Sequence, residues 1–455
     1  MLELFIGLVV TSLVGYFIIK EYKPTGVLLT AGVLLLLIAG LLGRNLLPDS
    51  VASTGNFVTD ALEYVKYTLR YRGGGLGMQI MLLCGFATYM TRIGANTMVV
   101  KQFSKPLAGI KSPYVLLVAA YIVACLMSLA VSSAAGLGVL LMATLFPMMT
   151  AMGISRPAAT AVCASPAALI LSPTSGDVVL AAEKSGLPLD VFAVQTVLPV
   201  SVCAIIAMAA AGYFWNKYLD KRQNTPMERV DISQIETTAP AFYAVLPFLP
   251  IIGVFLFNGR TIPGLKLDIY TIVVLSVTIG ALIDFAVNRF DGRKTLENME
   301  SCYQGMADAF KGVVMLLVAA GTFAQGLMAV GAIDSLLGFA DAAGAGGIAL
   351  MLLLAGLTMA AAIATGSGNA PFYAFVELAP ALAAKMGVNP AFLVIPMLQA
   401  SNLGRTMSPV SGVVVATAGM AGISTMEVVK RTSVPVLVGL TTVIVGTLVL
   451  VPMTV

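Results

Sequence analysis

The chain has 455 residues, 58% hydrophobic and only 11% charged, whereas soluble domains run about a quarter charged, so it lacks the polar residues to coat several soluble domains. Its 26 basic and 22 acidic residues leave a net charge of +4. The basic ones sit in short gaps between apolar runs, which argues against a nucleic-acid partner. The chain contains no histidine, which excludes a His-based metal site or general base, and Cys84, Cys125, Cys163, Cys203 and Cys302 have neither metal nor disulfide spacing.

The apolar runs approach the roughly 20 residues that cross a bilayer, so the chain reads as an all-α polytopic membrane protein. In chain order, 3–19 is a retained first helix without signal-peptide features, and 26–43 is a second span. Residues 57–72 make an amphipathic helix suited to the interface, and 76–91 a third span. The segment 92–112 carries Arg92, Lys101, Lys105 and Lys111 without an acid, which places it in the cytoplasm. Residues 113–152 are apolar but interrupted at Ser132-Ser133-Ala134, which predicts a re-entrant hairpin lining a cavity. Spans follow at 158–182 and 190–214, then a cytoplasmic linker at 215–238. Further spans are expected at 239–257, 269–287 and 309–330, with 291–311 as a counterpart of the first amphipathic segment. Residues 331–345, whose charges are Asp334 and Asp341, come out external. A second hairpin at 346–386 is interrupted at Thr365-Gly366-Ser367-Gly368-Asn369, and spans at 391–420 and 432–452 close the chain.

An internal repeat organises these elements. Ser165, Ser172, Pro173, Ser175 and Gly176 align with Ser401, Ser408, Pro409, Ser411 and Gly412 at an offset of 236, both reading S-x6-S-P-x-S-G. Each copy holds five spans and one hairpin, and an odd number of spans turns the second copy upside down. The expected organisation is a first inverted repeat at 1–214, the linker at 215–238 and a second repeat at 239–455.

The chemistry belongs where helices break. Pro173 and Pro409 remove a donor, so the helices at 158–182 and 391–420 should each split into halves meeting at mid-membrane. Polar groups then gather in four places. Ser132 and Ser133 form the first tip, and Ser172, Thr174 and Ser175 the first break. Gly366, Ser367, Gly368 and Asn369 form the second tip. Asn402, Arg405, Thr406, Ser408 and Ser411 form the second break. Freed amides and hydroxyls there suit a bound anion. An intramembrane charge is a functional candidate. Arg405 offers a planar fork for a carboxylate or, alternatively, a salt bridge to Asp177. Asp177 either caps a half-helix or couples transport to a cation, and Glu377 is a second coupling candidate. Gln399 could donate a hydrogen bond, and Gln325 reads as interhelical glue.

The segments ACLMSLAVSSAAGLGVLLMATLFP (124–147), ASPAALILSPTSGDVVLAA (164–182), TGSGNAPFYAFVE (365–377) and PMLQASNLGRTMSPVSGVVVATAG (396–419) resemble the anaerobic C4-dicarboxylate carriers of the DcuC family. The resemblance covers essentially the whole chain. It implies a bacterial inner-membrane carrier for fumarate, succinate and related acids such as malate or aspartate, working by exchange or cation coupling, and no enzyme. The wider ion transporter superfamily implies an elevator mechanism and a homodimer in the lipid bilayer, with the hairpins and broken helices mobile and the remaining helices a scaffold. Its Ser-Asn-Thr tips bind carboxylate and sodium. Here the tips read Ser-Ser-Ala and Gly-Ser-Gly-Asn, so the coupling ion, proton or sodium, stays open, and no cofactor is implied. The alternative is a carrier of a monocarboxylate, citrate or another small anion, or an anion channel.

Overall fold

The computed structural model describes residues 2–454 except 21, 49–50, 224–238, 260, 334 and 336–345. Among the described residues it is helical, with one isolated bridge between Asn258 and Lys266. Among the described residues six helices are long and apolar enough to cross a membrane, or up to eight if each of two bent pairs is one span.

The first five helices are α1 (Leu2–Ile19), α2 (Pro24–Leu41), α3 (Phe57–Gly74), α4 (Leu76–Arg92) and α5 (Ala95–Ser104). Pro24 opens α2 where no donor is needed. Asn56 caps α3 by accepting from the Val58 amide at 2.9 Å. The first hairpin region comprises α6 (Pro113–Met127), α7 (Ala134–Met142) and α8 (Leu145–Ala151). Next come α9 (Arg156–Ala164), α10 (Gly176–Ser185) and the 35-residue α11 (Leu189–Gln223). Then follow α12 (Ala241–Leu256), α13 (Ile269–Val287) and the 39-residue α14 (Gly292–Val330). The last six are α15 (Gly347–Thr365), α16 (Asn369–Val376), α17 (Ala379–Met386), α18 (Pro390–Thr406), α19 (Gly412–Ala421) and α20 (Thr425–Leu450).

The structure refines the reading of four segments. The basic segment 92–112 is largely helix: α5 leaves α4 at 70° and buries Asn96, Met98, Val99 and Val100. Arg92, Lys101, Lys105 and Lys111 are all exposed, and the charge pattern hid the apolar face. Residues 57–72 do not lie across the ends of the spans. Instead α3 buries Asp60, Ala61, Tyr64, Thr68 and Arg72, three or four residues apart, and packs along α2 and the second half of α14. The anticipated counterpart at 291–311 is the first half of α14, continuous with the span after it through a π-helical turn at Phe310–Val314. Finally, the linker expected at 215–238 begins as helix, since α11 runs to Gln223; the remainder, 224–238, lies outside the described residues, as do Asp334 and Asp341.

Ion pairs explain why α11 extends so far. Arg431 of α20 is fully buried and pairs with Asp220 of α11 at 2.7 Å. Tyr114 of α6 donates to the same carboxylate at 3.0 Å. A buried charge is tolerated only when paired in this way. Three of the four cations between residues 44 and 75 are also paired: Arg44 meets Glu3, Lys66 meets Glu63, and Arg72 meets Glu183 and Glu377.

Candidate functional site

The two breaks differ. α18 stays helical through Asn402 and Arg405 and stops at Met407, ahead of Pro409. In the first copy Pro166 stands where the second has Asn402, and α9 already ends at Ala164. The chain is then non-α from 165 to 175, with Leu169 extended. The expected matched pair of half-helices is thus realised at the second break and stretched into a longer excursion at the first.

That excursion is closed by its own bonds. Gln399 of α18 accepts from the Ile170 amide at 2.9 Å and donates to the Ile170 carbonyl at 3.0 Å, as a neighbouring strand would. It also donates to the Ser201 hydroxyl at 3.0 Å. The Ser172 hydroxyl donates to the Leu129 carbonyl at 3.1 Å and lies 2.9 Å from that of Thr174. Ser175 is half-buried and its side chain caps nothing. At the first tip Ser132 and Ser133 are exposed, and Ser133 accepts from the Gly136 amide at 3.1 Å to cap α7.

The second break is left open. The Arg405 Nη2 donates to the Ala167 carbonyl at 2.8 Å. Its Nε is buried without a protein partner among the described residues, and so are Asn402 Oδ1, Ser408 Oγ and Ser411 Oγ. Each such group costs about 1–3 kcal/mol if nothing binds it. Four of them fall within ten residues, 402–411. Thr406 does not join them, because its hydroxyl donates back to the Asn402 carbonyl at 3.0 Å.

The second tip sits on this break. Gly366 has φ +70, and a Cβ there would lie 2.9 Å from the Val410 carbonyl and the Ser411 nitrogen. A Cβ on Gly368 would lie 2.8 Å from Asn402 Oδ1 and 3.4 Å from Arg405 Nη1. The Ser367 hydroxyl accepts from the Ala370 amide at 3.2 Å. Asn369 donates to Asp177 Oδ1 at 3.1 Å and to the Tyr373 oxygen at 3.2 Å. Tyr373 donates to the same Asp177 oxygen at 2.6 Å. No ion pair within 4 Å joins Arg405 to Asp177, although each lies in the other's field: Arg405 bonds the Ala167 carbonyl, and Asp177 accepts from Asn369 and Tyr373. Beside the tip, a cleft of about 700 Å³ is lined by Lys23, Thr365, Ser367, Asn369 and Val410.

Glu377 lies elsewhere. It accepts from Arg72 at 2.7 Å and from Lys184 at 2.5 Å. It is eight residues beyond Asn369, roughly 12 Å along a helix. Sequence reasoning missed Tyr373, although it stands at i+4 from Asn369 and so shares its helix face. It also missed the roles of Arg72 and Lys184. No group of three or more acidic or cysteine side chains suited to a metal occurs among the described residues.

Known proteins share this chain's sequence and fold. Residues 2–452 match the profile of the C4-dicarboxylate anaerobic carrier family, DcuC. The chain is similar to a Vibrio cholerae protein named probable anaerobic C4-dicarboxylate transporter DcuC, 79% identical over 453 residues and covering 100% of this chain and 99% of that one. It is 62% identical over 451 residues to the Escherichia coli K12 anaerobic C4-dicarboxylate transporter DcuC, covering 99% and 97%. Among solved structures, the YdaH transporter of Alcanivorax borkumensis superposes with a TM-score of 0.61 at 16% identity, covering 94% of this chain and 98% of that one. At that identity the likeness concerns the fold alone.

Proposed function

From the premise that this chain belongs to the C4-dicarboxylate anaerobic carrier family, we propose that it carries fumarate and succinate by exchange or cation-coupled transport, with one substrate carboxylate on Arg405. It is a multi-pass transporter of C4-dicarboxylates, not an enzyme. The observation that carries the finer reading is the set of unpartnered polar atoms on Asn402, Arg405, Ser408 and Ser411 under the second tip. An arginine fork matches a carboxylate in both charge and shape. The Asn402, serine and tip groups then serve the rest of the anion. Malate and aspartate keep the same pair of carboxylates.

Alternating access is an elevator motion in this reading. The moving body is the two hairpin regions, α6–α8 and α15–α17, with the broken helices α9–α10 and α18–α19. We count α11 and α20 with it, in place of the scaffold role expected for all other helices. Gln399 holds Ser201 of α11, Tyr114 of α6 holds Asp220 of α11, and Thr432 of α20 donates to the Thr406 carbonyl at 3.3 Å. The scaffold is then α1–α5 and α12–α14, which in a homodimer in the bacterial inner membrane would carry the subunit contact. Packing supports inverted repeats at 1–214 and 239–455: α3 meets the second half of α14, and α4 meets the first half. Likewise α2 packs on α3 and the second half of α14, while α13 packs on α4 and the first half. Such an exchange of partners is what a two-fold axis in the membrane plane produces.

Counterflow in proteoliposomes tests the reading. Vesicles loaded with succinate should accumulate labelled fumarate and succinate, and a sodium or proton gradient should reveal any coupling. Accumulation of monocarboxylates or citrate in preference to C4-dicarboxylates would sink it.

A further inference from the structure

α10 and α16 lie side by side and point the same way, because Asp177 meets Asn369 and Tyr373 at one end while Lys184 meets Glu377 at the other. Both belong to the moving body of the proposed elevator, and the role inferred here for their far ends rests on that proposal. Into the far clasp reaches a residue of the scaffold. Arg72, in the last turn of α3, donates to Glu183 and to Glu377, each at 2.7 Å. The side chains of Arg72, Glu377 and Lys184 are 9%, 6% and 10% exposed. Three residues after Arg72, α3 ends at Gly75, whose backbone is non-helical (φ −94, ψ −117).

The charges balance only across the boundary. Arg72 and Lys184 face Glu183 and Glu377, two of each sign. Remove the scaffold and the moving body keeps one cation for two acids, while α3 keeps a buried guanidinium with no counter-ion. Glu183 is 39% exposed and keeps solvent, so the cost falls on the buried Arg72, left with no counter-ion, and on Glu377, left with Lys184 alone. One nearby contact between the two bodies is apolar, Ile80 of α4 against Gly176, and apolar faces slide at little cost in hydrogen bonds.

We propose that the Arg72–Glu377 pair is a latch, made in the state seen here and broken in each transport cycle when the moving body travels past α3. Glu377 is therefore a positioning residue that holds the second tip, eight residues earlier on the same helix, in its present place. One oxygen of Glu377 still has no partner among the described residues, which leaves it free to take water as the clasp parts.

The test is a reporter cysteine at Ala364, an exposed residue in the wall of the cleft beside the tip. In an otherwise Cys-free protein, Ala364→Cys should react readily with a soluble maleimide. Adding Arg72→Gln, or the milder Glu377→Gln, should slow that reaction at least about tenfold, since removing one partner of a buried pair depopulates the state that contains it. Unchanged or faster labelling would show a static strut and overturn the latch. A second measurement does not depend on the first. Arg72→Cys with Glu377→Cys, bridged by a bifunctional thiosulfonate, should stop exchange of labelled succinate until reductant is added. Undiminished exchange by fully bridged protein also overturns it. Failure of the unbridged Cys-free protein to exchange any C4-dicarboxylate would instead sink the carrier reading, and the labelling ratio would still judge the latch.

Discussion

Arg405 has one protein hydrogen bond and a buried nitrogen left over, next to three other unsatisfied polar atoms. At the 236-residue offset of the S-x6-S-P-x-S-G match it aligns with Leu169, so the match does not reproduce this cation. Arg405→Lys keeps the charge and loses the planar fork. It should raise KM for succinate about 10- to 100-fold, the worth of one or two charge-assisted bonds. Arg405→Ala should abolish transport while the protein still reaches the membrane. Because Arg405 and Asp177 have separate partners, Asp177→Ala combined with Arg405→Ala should rescue nothing; recovered transport in the double mutant would show that the arginine serves only the aspartate. Asp177 itself receives Asn369 and Tyr373 on one oxygen, which ties its charge to the position of the second tip. A protonated carboxyl holds those donors less strongly. Asp177→Asn should therefore keep exchange but lose its response to a proton gradient, measured as uptake with and without an imposed gradient. Uptake that still follows the gradient as in wild type rules out this aspartate as the coupling group.

At the scale of elements, the break between α9 and α10 depends on a residue from another repeat. Gln399 replaces the helical bonds that Ile170 has lost. Gln399→Leu fills the same space but strands both backbone groups. At about 1–3 kcal/mol per stranded group, the purified protein should lose roughly 2–6 kcal/mol and several degrees of melting temperature. A melting curve that superposes on wild type would mean the excursion holds itself. This contact is not legible in the sequence, because the S-x6-S-P-x-S-G match predicts two equal breaks and gives no reason for one to be longer. Pro166 opposite Asn402 is the available signal. Long apolar runs such as α2, α13 and α20 are readable directly, since spanning length alone identifies them. Segments with interleaved charge are not. α5 looks like a loop in the sequence because its lysines outweigh Met98, Val99 and Val100, and the end of α11 looks like a linker because Asp220 gives no hint of Arg431. The site follows the same division. The tip and break residues announce themselves by composition, whereas Tyr373 and Arg72 act through partners about 200 and 300 positions away in the chain.

For the whole molecule, the inverted arrangement makes a demand that packing alone does not meet. Along α3 and α4 the contacts run from Tyr64 against Gly321 to Gly85 against Cys302, so position rises on one side as it falls on the other. The two long units are antiparallel and exchange halves, which supports a two-fold axis lying in the membrane. Parallel copies related by an axis along the membrane normal would instead keep corresponding loops on one face. The segment before each hairpin distinguishes the cases. Lys105 precedes the first hairpin, is exposed, and belongs to a stretch with Arg92, Lys101 and Lys111 but no acid. Asp341 precedes the second, in a stretch outside the described residues whose charges are acidic. Short basic loops stay in the cytoplasm. Lys105→Cys should therefore be protected from an impermeant maleimide added to intact cells and react after the membrane is opened. Asp341→Cys should react in intact cells. The measurement needs a Cys-free background, since Cys203 is exposed, and each variant must still exchange succinate to show that it inserted correctly. Labelling of both cysteines from the same side would refute the inverted repeat.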